Sequence, residues 1–246
     1  MHRFFIESED IRTGIYLTIH NQESVNHMSR VLRVKIGELI ELVSLDMLLT
    51  GEIVEVQNTS VKLKILSEKP HENESNVKID LFQCLPKGQK LELILQKNVE
   101  LGVHDFYLVQ SKRCIVDYKP KDVPKKMERL SKIVKEASKQ SKRDRIPELY
   151  GVLNIKDVLE KISDYDQFLI LYEGETSKGL KGHLKAFEGK RIAIIIGPEG
   201  GLEESEVELL LRNGALSTTL GKRILRTETA GFVAVSCIQY EMDALG

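Results

Sequence analysis

Residues 194–206 read IIIGPEGGLEESE, and this stretch decides the fold. An apolar run ends in Gly197-Pro198-Glu199-Gly200-Gly201, and a helical pattern begins at about Glu203. A run that is apolar on both faces is a strand covered on both sides, as in parallel sheets. A turn from such a strand into a helix lies at the C-terminal edge of the sheet, where α/β proteins bind ligands. Glycine there lets a ligand approach the backbone closely. G-x-G-x-x-G is absent and no Gly-Lys-Ser/Thr follows, so the turn is neither a dinucleotide fingerprint nor a P-loop. Acids at 203–206 disfavour a phosphate at the helix start and suit a neutral or cationic ligand. A plain β–α turn remains the structural alternative.

The surrounding sequence extends the pattern. VKIDLFQC (77–84), FYLVQ (106–110), QFLILY (167–172), RIAIII (191–196) and ALSTTL (215–220) read as strands. They alternate with helical patterns at 88–102, 124–143, 155–162, 203–213 and 228–243, which predicts a mostly parallel sheet covered by helices. Residues 1–66 differ. RFFI, IYLTI, ELIELV, TGEIVEV and SVKLKIL are β-rich runs punctuated by Gly14, Gly37, Gly51 and Asn58. They predict a small barrel or sandwich, with one short helical stretch, ESVNHMSRVLRV (23–34). The polar segment SEKPHENESN (67–76) reads as a linker, giving domains at 1–70 and 77–246.

Composition excludes several classes. The 246 residues are 41% hydrophobic and 30% charged, the balance of a globular protein. No apolar run approaches the roughly 18–20 residues of a membrane span, and MHRFFIESED lacks a signal-peptide core. A cytoplasmic protein is expected. Cys84, Cys114 and Cys237 are widely spaced, as neither a disulfide framework nor a zinc site would be, and are expected as reduced core residues. The net charge is −1, but residues 112–145 carry 13 basic against 5 acidic side chains. Within 124–143, Met127, Leu130, Ile133, Val134 and Ala137 form an apolar stripe, and Arg129, Lys132, Lys139 and Arg143 fall on other faces. Such clustering is the footprint of a phosphate-binding surface or of a solvated face.

The stretch LGKRILRTETAGFVAVSCIQYE (220–241) leads from a strand through Gly221 and a polar loop into an apolar helix. Thr227 is the expected cap, with Glu228 and Thr229 in the first turn. Ala230, Ala234 and Cys237 give a small-residue face suited to close packing, in a core or in a dimer. Arg223, Arg226 and Glu228 are candidates for catalysis or for salt bridging. In 85–103, Lys87, Lys90 and Lys97 read as polar positions of an ordinary surface helix.

Together these stretches resemble the RsmE-type 16S rRNA (uracil-N3) methyltransferases of the SPOUT superfamily. The likeness runs through HRFF at 2–5, H-x-x-x-V-L-R at 27–33, Q-K-x-x-E-L-G-V at 96–103 and E-A-x-x-Q-S-x-R at 136–143. It is strongest in IGPEGG at 196–201 and LGxRILRTETA at 220–230. Leu202 and Leu130 depart from the usual Phe and the frequent Trp. The resemblance implies an α/β methyltransferase domain with a deep trefoil knot, preceded by a small PUA-like β-barrel that helps bind RNA. It implies S-adenosylmethionine as cofactor, no metal, and a site completed across a homodimer.

Carried over by position, the resemblance puts the cofactor against three loops. Leu171, Glu173 and Gly174 form the first; Gly197, Glu199, Gly200 and Gly201 the second; Leu220, Gly221, Ile224, Leu225, Thr229 and Ala230 the third. Arg226 is expected to stabilise charge on a uracil oxygen, and Glu228 or Glu199 to accept the N3 proton; alternatively both acids only orient Arg226 or the cofactor. For RNA, Arg3, His27, Arg30 and Arg33 are expected from the first domain, and Lys97, Arg129, Lys132, Lys139 and Arg143 from the second. The implied substrate is small-subunit ribosomal RNA, within an assembled or late-assembling 30S subunit. A knotted methyltransferase for another ribosomal or transfer RNA position, or a non-catalytic RNA-binding assembly factor, is the alternative.

Overall fold

The computed structural model describes residues 1–245; Gly246, the end of the expected second domain, lies outside the described residues. The chain forms two compact units. The first is Met1–Glu74 together with Lys139–Arg145, and the second is Ser75–Ser138 together with the chain from Ile146 onward.

The first unit is a six-stranded sheet. Its strands are β1 (His2–Phe5), β2 (Ile11–Thr13), β3 (Tyr16–Ile19), β4 (Leu39–Val43), β5 (Met47–Val56) and β6 (Val61–Pro70), in the order β1-β4-β5-β6-β3-β2. β1 and β4 are parallel and the other pairs antiparallel. Alternate apolar residues turn into one core containing Phe4, Leu17, Ile40, Leu42, Ile53 and Leu63. The β5–β6 register slips between Thr50 and Gly51. A Cβ on Gly51 would lie 3.2 Å from Leu42 and Leu63 side-chain atoms, so the slip rests on a residue without one. The predicted helix after β3 is α1 (Gln22–Asn26), capped by the Asn21 side chain, continued by a π-helical turn over His27–Leu32. Arg33 ends it at φ 53°.

Residues 139–145 belong with this unit, although their composition reads as exposed and basic. The Asp144 carboxylate accepts from the backbone N–H groups of Glu72 and Asn73 at 3.0 and 2.8 Å and from Arg3 Nη1 at 2.8 Å. Arg143 donates to Glu74 at 2.7–3.1 Å. The polar linker is thus tied down by buried charge.

The second unit holds β7 (Lys78–Cys84), β8 (Asp105–Gln110), β9 (Leu149–Asn154), β10 (Gln167–Leu171), β11 (Arg191–Ile196) and β12 (Leu216–Thr218). Their order is β12-β10-β11-β7-β8-β9, parallel throughout. The helices are α2 (Lys90–Glu100), α3 (Val123–Gln140), α4 (Ile155–Leu159), α5 (Leu180–Leu184), α6 (Glu204–Arg212) and α7 (Thr227–Glu241), the last two residues of α3 falling in the first unit. Along β11, Ile192, Ile194 and Ile196 enter one core with α2 and α7, while Ala193 and Ile195 enter the other with α4 and α6. Two-sided burial explains the unbroken apolar run. The sequence reading does not include β2, α5 or β9; β9 is a half-exposed edge strand whose pairing with β8 skips Gly151, so it lacks that signature. Cys84 is buried and Cys114 half-buried, but Cys237 is exposed on α7 and not in the core. Among the described residues no helix is long and apolar enough to cross a membrane.

Candidate functional site

The C-terminal ends of the neighbouring strands β12, β10 and β11 open onto a cavity of about 680 Å³. Its walls are the loops that follow those strands and the start of α7. The glycine turn after β11 is compact: Gly201 N–H donates to Pro198 O at 2.9 Å. A Cβ on Gly197 would lie 2.9 Å from Gly201 C and Leu202 N, so only glycine lets the turn fold back on itself. Gly201 takes φ +68°, the left-handed region open to glycine at little cost.

Thr227 holds two of these walls together. α7 begins at Thr227 with Arg226 at the cap position, and the Arg226 side chain makes no capping bond. The Thr227 hydroxyl, expected to cap the helix, instead donates to Gly197 O at 2.7 Å and accepts from Gln83 Nε2 at 3.0 Å. Both side chains are buried. β7, the glycine turn and α7 are therefore joined by two consecutive hydrogen bonds. The loop after β10 is tied to β12 by Tyr172 N–H donating to Thr218 O at 3.1 Å.

The site's charges converge on Lys90, at the start of α2. Its Nζ lies 2.7 Å from Glu199 Oε1 and 3.3 Å from Glu228 Oε2. The Lys87 N–H also donates to both Glu199 oxygens, at 3.1 and 3.2 Å. Burial by itself lifts the Glu199 carboxyl, but the Lys90 ammonium and backbone N–H groups outweigh it and hold the carboxyl below its ordinary range. Glu199, ahead of Glu228, raises the Lys90 ammonium in turn. Arg226 Nη1 is 3.9 Å from Glu228 Oε1, and its side chain is 82% exposed.

Of the residues expected at the cofactor, Leu171, Glu173, Gly197, Glu199, Gly201 and Leu220 line the cavity, as do Gly221, Ile224, Leu225 and Ala230. Arg226 lines it too. Gly174, Gly200, Thr229 and Glu228 are not among the lining residues. A Cβ on Gly174 would meet the Tyr172 ring, and one on Gly200 would lie 3.7 Å from Arg113. Glu228 points to Lys90. Tyr172 and Thr227, inside the expected loops 171–174 and 220–230, also line the cavity, while sequence reasoning missed Lys90 and Thr218; the amphipathic pattern of α2 marked Lys90 only as polar.

The basic residues divide sharply. Arg3, Lys139 and Arg143, expected to meet RNA, are buried in the first unit. Arg3 bonds Glu41 and Asp144, Lys139 Nζ lies 5.5 Å from the Phe4 ring centroid, and Arg143 pairs with Glu74. The charges of Arg3 and Arg143 are compensated by buried or half-buried carboxylates. Arg30 and Arg33 are exposed, while His27 is half-buried and packs edge-on against Phe4. In the second unit Lys97 pairs with Glu100, Arg129 with Glu92 and Lys132 with Glu128.

At the opposite, N-terminal edge of the sheet, ligand atoms of Asp80, His104 and Asp105 lie within 4.8 Å of one another. Asp80 already accepts from Tyr165 Oη at 2.8 Å, Asp105 N at 3.1 Å and Arg191 Nη2 at 3.2 Å, so it reads as a satisfied buried carboxylate. A second, apolar groove of about 650 Å³ runs along α7, lined by Leu180, Leu184, Leu220, Val233, Cys237 and Tyr240 among others.

Residues 73–239 match the family model of the RNA methyltransferase domain. The ribosomal RNA small subunit methyltransferase E of Bacillus subtilis (strain 168) is 36% identical, over 100% of this chain and 98% of its own length. That of Mesomycoplasma hyopneumoniae (strain 232) is 31% identical, over 97% and 100%. Among solved structures, a Ribosomal RNA small subunit methyltransferase E from Neisseria gonorrhoeae bound to S-adenosyl methionine superposes with a TM-score of 0.85 at 31% identity, covering 98% of this chain and 97% of that one. A Legionella pneumophila methyltransferase in complex with bound SAM gives 0.86 at 31%, covering 97% and 96%.

Proposed function

Because the chain belongs to the RNA methyltransferase family that includes the ribosomal RNA small subunit methyltransferases E, we propose that it methylates N3 of a uridine in small-subunit ribosomal RNA with S-adenosylmethionine. The observation that carries this is the cavity at the ends of β10, β11 and β12, walled by a glycine turn with no room for a side chain. Its volume lies within the roughly 300–1,000 Å³ of small-molecule sites. Walls that combine apolar residues with charges of both signs, Glu173, Glu175 and Glu199 beside Lys90, Lys222, Arg223 and Arg226, fit a ligand with an adenosine body, a sulfonium and an amino-acid end. When bound, the cofactor supplies an electrophilic methyl group on a sulfonium, so the protein need supply no metal.

The chain's own residues then have three tasks. The three loops hold the reactants in line, and such positioning contributes several kcal/mol. Arg226, exposed and at the cavity wall, stabilises negative charge on a uracil oxygen as N3 loses its proton. Glu199 lines the cavity and is assigned that proton. Its lowered pKa makes it a weak base, so Arg226 must carry part of the ionisation. Glu228, which does not line the cavity, orients rather than accepts.

Two further readings belong to the proposal. The second unit is read as trefoil-knotted, with the loops at 197–201 and 220–230 forming the knot, and the first as a PUA-like barrel that contacts RNA through Arg30 and Arg33. The apolar groove along α7, with Tyr240 73% exposed, supports a homodimer. A cytoplasmic enzyme acting on an assembled or late-assembling 30S subunit is the corresponding biological setting. The test is nucleoside mass spectrometry of small-subunit RNA from cells lacking the gene, with and without the cloned gene. Loss and restoration of one N3-methyluridine is expected. An unchanged methylation profile refutes the assignment.

A further inference from the structure

We propose that Lys90 is a positioning residue of this site, one ammonium that ties the glycine turn to α7 by holding Glu199 and Glu228 together. The inference rests on the methyltransferase reading and extends it to a residue whose local sequence marks only a surface lysine. Glu199 lies 109 residues from Lys90 in the chain, yet its carboxylate shares the cation with that of Glu228. Three elements thus meet at one charge: α2, the turn after β11 and the first turn of α7.

The charge arithmetic gives Lys90 its weight. Two carboxylates face it, from the glycine turn and from α7. Arg226, the other cation near them, is 3.9 Å from Glu228 and its side chain is 82% exposed. The remaining charged side chains of the cavity wall are Glu173 and Glu175 after β10, and Lys222 and Arg223 after β12. Without Lys90, Glu199 and Glu228 would lie side by side with their shared cation gone. Like charges repel, and the Glu199 end of the turn would keep only the Lys87 N–H, leaving the Thr227–Gly197 hydrogen bond as the turn's tie to α7. Lys90 acts through the carboxylates; it is not assigned contact with either reactant.

An isolated surface ion pair contributes little, so a merely solvated Lys90 predicts no effect on ligand binding. A shared cation predicts a specific one. Removing it lifts the Glu199 carboxyl, which then takes up its proton at higher pH. The experiment measures S-adenosylmethionine affinity of the full chain by calorimetry from about pH 4.5 to 8 for wild type, Lys90→Met, Lys90→Gln and Lys90→Arg, with thermal melts confirming folding. The affinity loss on acidification should begin at a higher pH in Lys90→Met and Lys90→Gln, and Lys90→Arg should return it to the wild-type curve. Folded Lys90→Met or Lys90→Gln protein whose affinity curve superimposes on wild type overturns the proposal and leaves the functional reading intact. A wild-type protein that binds no S-adenosylmethionine at any pH refutes the functional reading and this proposal with it.

Discussion

Replacing Thr227 by Val tests how the site is held together. Val is nearly isosteric, so no cavity opens; only the hydroxyl is removed. The buried Gly197 carbonyl loses its 2.7 Å donor. Gln83 Nε2 loses its Thr227 acceptor but keeps the Cys84 carbonyl at 2.9 Å. One orphaned buried carbonyl costs about 1–3 kcal/mol. For a folded unit of this size each kcal/mol lowers Tm by roughly 2–4 °C, so a fall of about 2–12 °C is expected by calorimetry. If the glycine turn needs this bond to keep its shape, the same energy appears in S-adenosylmethionine binding as a roughly 5- to 150-fold loss of affinity. Thr227→Ser keeps the donor and should stay near wild type in affinity. A Thr227→Val protein that melts within about 1 °C of wild type and binds the cofactor equally well refutes the latch.

Gly197→Ala puts a Cβ 2.9 Å from two backbone atoms of its own turn, which cannot swing aside as a side chain could. Cofactor affinity should fall at least about tenfold, while Gly200→Ala, 3.7 Å from Arg113 Cβ, should bind normally; equal binding by both variants in calorimetry refutes the cradle. For RNA, Arg30→Ala combined with Arg33→Asn, the Asn chosen because position 33 sits at φ 53° and Asn tolerates that region, should flatten the slope of log affinity against log salt by up to about 1.4–1.8. Arg143→Ala should leave that slope unchanged and instead lower Tm, since it strands Glu74 without its buried partner; a flattened slope with an unchanged Tm reverses the assignment.

The sequence by itself determined most of the elements and the edge of the sheet on which the cavity opens. Apolar runs such as 191–196 report two-sided burial wherever they occur, and the glycines of 197–201 with the stretch 220–230 mark loops that follow buried strands. Periodicity and turn chemistry act between residues a few positions apart, so they are legible in a single chain. The same logic failed where a local pattern was weak, as in the edge strand β9, or where it misled, as in the basic run at 139–145. Arg143 and Lys139 look like surface charge because their partners, Glu74 and Phe4, are 69 and 135 positions away. Only the tertiary structure decided that they are internal. It also decided that Thr227 bonds Gly197 rather than capping its own helix, and that Lys90 stands between Glu199 and Glu228. Each is a contact across more than 25 residues of chain, where the geometry of packing, not spacing along the backbone, chooses the partner.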